Sequence, residues 1–152
     1  MKNIITKITS MKLKESDDNI VQIIGICQEQ EAKAELSVLQ LAKIFGSDKK
    51  VISEVENDFG SVEYEDKCEE IKALIKSFPN IKTAEKEIEF DYVSIGNIKE
   101  NAIEIYAEDI VGWNNEGLRI DFPFEIYDKY LQGKKFKVFM TSNKIKFIIE
   151  DK

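Results

Sequence analysis

The sequence predicts an α+β, β-rich fold in which two similar strand/short-helix/strand halves are joined by one amphipathic helix, the strands forming either a barrel-like sheet or two packed sheets. Three observations carry this expectation. Apolar and polar residues alternate with a period of two along both halves, the pattern of half-buried strands. One long helical spacing interrupts them near the middle of the chain. The 152 residues are 43% hydrophobic, enough for a proper core and a size that suits a single domain spanning 1–152.

Taken in order, Ile4, Ile5 and Ile8 open a strand that continues from Met11 to Lys14 and stops at the polar turn 15–19. Ile20 to Cys27 is a dense β-branched run and reads as a central strand, while the polar Gln28 to Lys33 reads as a connection. Leu36 and Val38 alternate as a short strand, Leu39 to Phe45 has helical spacing stopped by Gly46, and Val51 to Val55 returns to strand. Residues 57–64 carry turn chemistry. Tyr64, Cys68, Ile71, Leu74, Ile75 and Phe78 then share one helical face over 64–78, with acids at its start and Lys72 and Lys76 near its end, as the helix dipole favours. Pro79-Asn80 closes it.

The second half begins with the alternation of Ile88, Phe90 and Tyr92, and Ile103 and Ile105 mark another strand. Residues 112–117 read as a loop. Leu118, Ile120 and Phe122 alternate until Pro123, which cannot donate to a ladder and suits the first turn of a helix. Ile126, Tyr127, Tyr130 and Leu131 take helical spacing, and Gly133 offers a left-handed cap. Phe136, Val138, Met140 and then Ile145, Phe147, Ile149 form a hairpin turning at Ser142-Asn143. The halves, 3–56 and 86–150, share this order of elements, and Asn19 to Ile23 lies beside Asn101 to Ile105. Low identity and a drifting offset leave duplication and chance similarity as equal readings.

Composition excludes much chemistry. With no histidine, Ser-His-Asp, Cys-His and His-ligated metal sites are ruled out. Cys27 and Cys68 lack CxxC spacing and read as reduced core residues, and the glycines form neither GxGxxG nor a phosphate-binding P-loop. The expectation is therefore no catalytic residues, no metal and no cofactor. The abundant carboxylates read as a solvated acidic face. Without a leader pattern or an apolar run near membrane-spanning length, the protein is expected in the cytoplasm and off the membrane.

Charge is segregated: residues 1–14 carry four lysines and no acid, and 128–152 carry seven lysines against three acids. The middle holds 26 acids against 11 basic residues, within a net charge of −7. A cationic patch is left open where the two ends meet. The candidate binding residues are Trp113, Asn114, Asn115 and Arg119, because tryptophan and arginine are enriched at binding hot spots and these are the chain's sole examples of each. Lys135, Lys137, Lys144 and Lys146 share one outward parity of the hairpin and form a second candidate surface.

The run Gly117 to Ile126 resembles the strand-Pro-helix core of swapped-hairpin transcription regulators of the AbrB type over about 34 residues, but Phe124 and Tyr127 stand where that family carries a lysine and an arginine. Short helices alternating with strand pairs are similar to DNA sliding-clamp subdomains, without a specific motif. Neither likeness identifies the chain. The function expected is that of a non-enzymatic acidic binding protein with a protein partner, of the inhibitor, antitoxin, immunity or phage counter-defence type. The alternative is a DNA-associated regulator using the basic terminal strands. Oligomeric state is left open.

Overall fold

The computed structural model describes residues 3–38, 41, 62–78, 87–90, 92–111 and 114–150, with backbone alone at 18, 62–68, 109–111 and 114–116. The strands are β1 (Asn3–Lys14), β2 (Asp17–Cys27), β3 (Gln30–Ser37), β4 (Ile88–Phe90), β5 (Tyr92–Lys99), β6 (Ala102–Val111), β7 (Asn114–Pro123), β8 (Phe136–Met140) and β9 (Lys144–Ile149). These pair in one antiparallel sheet of order β4-β8-β9-β1-β2-β3-β7-β6-β5. Its two ends, β4 and β5, are neighbours in the chain with one residue between them. The sheet therefore curls back on itself as a nearly closed barrel, and the described strands form one sheet instead of two packed ones.

The inward faces are apolar, save for Thr6 of β1, and mutually packed. Ile4 and Ile8 of β1, Val21 and Ile23 of β2, Leu36 of β3, Ile103 and Ile105 of β6, and Leu118, Ile120 and Phe122 of β7 are all buried. Val138, Met140, Ile145 and Phe147 fill the side formed by β8 and β9. Phe147 meets Phe122 edge-on with ring centroids 5.0 Å apart and Phe136 at 5.5 Å. Cys27 is free and buried, its thiol pKa raised by that burial against a hydrogen bond with Thr6. A register shift between Ile8 and Ser10 moves the buried parity of β1 from even to odd positions, so Met11 follows Ile8 inward.

Two helical pieces complete the described fold. Helix α1 (Val62–Lys76) lies against β1 and adds Ile71 and Ile75 to the same core. Helix α2 (Phe124–Ile126) starts directly after Pro123 and continues as a π-helical turn, Tyr127–Leu131, before Gly133 turns the chain at φ 74°. The positions compared with the regulators' DNA contacts are thus half-buried Phe124 and buried Tyr127, their rings 6.3 Å apart.

Several expectations need correction. Residues 28–33 are not a connection: β3 begins at Gln30 and only Gln28 and Glu29 turn the chain, at φ 48° and 69°. Ala32 and Ala34 are small enough to hide between Glu31, Lys33 and Glu35, which face outward. Asn114 and Asn115 are not in a loop, since β7 starts at Asn114 and pairs them with Val111 and Ile110. The strand predicted through Ile88, Phe90 and Tyr92 ends at Phe90, and Tyr92 opens a separate strand, β5, whose residues 93–99 the alternation did not reveal. Trp113, the predicted strand at 51–55, residues 57–61 of the predicted loop 57–64, the helix end at 79–80, and all of the predicted 39–45 helix except buried Leu41 lie outside the described residues, while 62–64 belong to α1 and not to that loop.

Candidate functional site

Because inward positions hold the core, polar chemistry is displaced to the outer face, where pairing register decides which side chains meet. Lys12, Gln22, Glu35, Arg119, Tyr106 and Ser94 stand opposite one another in one row across β1, β2, β3, β7, β6 and β5. The next row runs Ser10, Ile24, Lys33, Asp121 and Glu104. Between these rows the sheet surface hollows into a groove of about 260 Å³ lined by Lys12, Gln22, Lys33, Glu35, Arg119 and Asp121.

Arg119 is fixed from one side by a buried carboxylate. Glu104 faces outward from β6, yet its side chain is only 6% exposed. It accepts hydrogen bonds from the Tyr106 hydroxyl at 2.7 Å and from Arg119 Nε at 3.2 Å. Lys99 Nζ stands 4.0 Å away, and the Asn97 N–H also donates to it. The Tyr106 bond, against partial burial and aided by the neighbouring cations, holds the Glu104 carboxyl below the usual range. The same bond, together with burial and the Glu104 charge, raises the Tyr106 phenol. Arg119 loses some hydration, but Asp121 at 3.7 Å and Glu104 outweigh that loss and raise its pKa further. Lys99 closes the network with Asp121 at 3.2 Å.

Backbone geometry makes room for this arrangement at Gly96. A Cβ there would lie 2.5 Å from the Tyr106 ring and 3.1 Å from Glu104 Cβ, so a glycine lets the ring lie across β5 and aim its hydroxyl at the carboxylate. The register shift between Ile95 and Ile98 falls at this point. Sequence reasoning found Arg119 and missed Glu104, Tyr106, Lys99 and Asp121. The signal present was the outward parity of Glu104, Tyr106 and Asp121 on β6 and β7, with Lys99 at the end of β5, but the pairing register was needed to bring them together.

The predicted residues do not form one site. Arg119 is in the groove, whereas Lys137, Lys144 and Lys146 lie on β8 and β9, with β3, β2 and β1 intervening between β7 and β9. Lys135 precedes β8, Asn114 and Asn115 open β7 with backbone alone described, and Trp113 lies outside the described residues. The outward parity of the hairpin lysines holds, but two are neutralised: Lys137 pairs with Glu89 at 3.4 Å and Glu150 at 3.8 Å, and Lys146 with Glu87 at 3.0 Å. Lys146 also sits 5.5 Å over the Phe139 ring. Lys135 and Lys144 have no ion-pair partner among the described residues, and Lys144 stands opposite Lys7 of β1.

Among the described residues no three cysteine or acidic side chains gather as a metal site, and no helix is long and apolar enough to cross a membrane. Compared with protein-family models, curated proteins and solved structures, the chain matches none.

Proposed function

We propose that the protein is a non-enzymatic binding protein that acts through contacts with another protein, as inhibitors, antitoxins, immunity proteins and phage counter-defence proteins do. The observation that carries this reading is the outer groove with Arg119 held between Glu104 and Asp121. An immobilised guanidinium on a sheet surface is a preorganised contact that costs little further ordering on binding. Lys12 and Lys33 beside it have no ion-pair partner among the described residues, while the groove acids Glu35 and Asp121 are already engaged by Lys14 and Lys99. The groove thus offers cations to an acidic segment of a partner.

The titration directions support contact rather than catalysis. Glu104 is held ionised and Tyr106 protonated, each pushed away from neutrality, so neither is poised for proton transfer near pH 7. The internal-repeat reading belongs to the same proposal. Strands β1-β2-β3 and β5-β6-β7 are each a three-stranded meander, and they meet at the β3–β7 pair beside Arg119. Cross-linking of the wild-type and Arg119→Ala, Lys33→Glu proteins in host lysate, followed by mass spectrometry, tests the reading. A partner captured by the wild type and lost in the double variant supports it; equal capture by both removes the groove from the interaction.

A second reading, a DNA-associated regulator, is favoured by the β1–β9 pair, which sets Lys7 opposite Lys144 and so joins the two basic ends. It predicts duplex binding that weakens steeply with salt and is lost in a Lys7→Glu, Lys144→Glu protein. Absence of binding at low salt disposes of it.

A further inference from the structure

The barrel is incomplete at one place, and the residues there describe what completes it. Strand β4 pairs with β8 through Ile88–Met140, Glu89–Phe139 and Phe90–Val138. The next described pair in that register, Tyr92 with Phe136, does not form; from Tyr92 onward β5 pairs with β6 alone. A cleft of about 350 Å³ opens between β5 and the start of β8, lined by Phe90, Val93, Ile95, Phe136, Lys134 and Lys135 among others.

Two properties of this cleft are those of an acceptor for a strand. Beyond its pairing with β6, β5 has no hydrogen-bonded strand on its other edge among the described residues, so a row of backbone donors and acceptors is left for a new neighbour. On β5, Val93, Ile95 and Ile98 stand opposite the inward-facing Ala107, Ile105 and Ile103, and therefore belong to the core side. Nevertheless Ile95 is 42% and Ile98 67% exposed, with Tyr92 at 57% on the same strand. Across the cleft, Lys134 and Lys135 are exposed and without an ion-pair partner among the described residues, whereas Lys137 is held by Glu89 and Glu150.

We propose that this cleft takes an extended, acidic segment of a partner protein, which adds to β5 as a further strand. Main-chain hydrogen bonds to β5 supply the attachment. Alternate apolar side chains cover Val93, Ile95 and Ile98, and carboxylates meet Lys134 and Lys135. The surface is separate from the Arg119 groove and stands or falls independently of it.

The test uses a synthetic ten-residue peptide of alternating valine and glutamate, blocked at both ends, added to the full-length ¹⁵N-labelled protein. At a peptide concentration about ten times the dissociation constant, exchange of the β5 amides not engaged by β6 is expected to slow by about tenfold. Ile98→Lys and Lys135→Glu are expected to abolish the protection while melting at the wild-type temperature, the check that both still fold. Arg119→Ala is expected to leave it intact. The proposal is overturned if the valine-glutamate peptide gives no protection, or if a valine-lysine peptide or decanoate protects equally. Concentration-dependent dimerisation that protects β5 without peptide also overturns it, by assigning the edge to a second copy.

Discussion

Replacing Phe147 with alanine probes whether the barrel is a filled core or a container. The ring is fully buried, meets Phe122 at 5.0 Å and Phe136 at 5.5 Å, and sits opposite Ile4 of β1 and Val138 of β8 in the ladders. If the neighbours cannot collapse, losing the ring removes its transfer energy and leaves a void, a cost of about 3–5 kcal/mol. For a chain of this length that lowers the melting temperature by roughly 6–20 °C. Urea unfolding should show the lower midpoint with an unchanged slope. A double-mutant cycle with Phe122→Ala should recover about 0.5–1.5 kcal/mol of coupling from the edge-on ring pair. Met140→Leu, which keeps volume, is the control and should cost under about 1.5 kcal/mol. A loss below about 1 kcal/mol for Phe147→Ala, well short of the range for a packed aromatic, would refute the reasoning. It would mean that the interior already tolerates empty space, and the case for function by outer contacts would weaken in favour of an internal ligand.

Other expectations are more local. Glu29→Gly relieves a left-handed residue at φ 69° and should raise stability by about 0.5–1 kcal/mol, seen as a higher urea midpoint; a drop would mean that Glu29 makes a compensating contact. Gly96→Ala places a methyl group against the Tyr106 ring, so the Tyr106 hydroxyl should leave Glu104; persistence of the bond in a crystal structure of the variant would contradict this. Glu104 has a folded pKa below its unfolded one, so its contribution is present above about pH 4.3 and fades as pH falls through the lowered value. Glu104→Gln should flatten that acid limb of stability measured by urea midpoints, and an unchanged limb would exclude the network. Tyr106 runs the other way: its contribution is present below about pH 10 and is lost as pH rises through the raised value, a limb that Tyr106→Phe should remove.

Most strands were legible because one face of each is buried, which imposes a period of two that survives in the sequence. Legibility failed where geometry breaks that period or hides its punctuation. The β2–β3 turn is made by Gln28 and Glu29 in left-handed conformations that asparagine or glycine usually signal, so a tight hairpin looked like a polar connection. On β5, the register shift between Ile95 and Ile98 interrupts the alternation, and the exposed isoleucines imitate no regular pattern. Arg119 was visible as the sole arginine, but its partners were not. Glu104 and Tyr106 become neighbours of Arg119 and Asp121 only through a cross-strand register that composition does not contain.

The β1–β9 ladder, from Asn3–Ile148 to Lys7–Lys144, has a consequence for synthesis on the ribosome. Strand β1 finds β2 directly after it, but its opposite flank must wait until β9, the last of the described strands, has been made. Until β9 arrives, Ile4 lacks its ladder partner Phe147, whereas Ile8 is already paired with Gly25 of β2. The nascent protein thus passes through a stage with an unguarded, isoleucine-rich margin, and slow translation between β2 and β9 would prolong its exposure to aggregation.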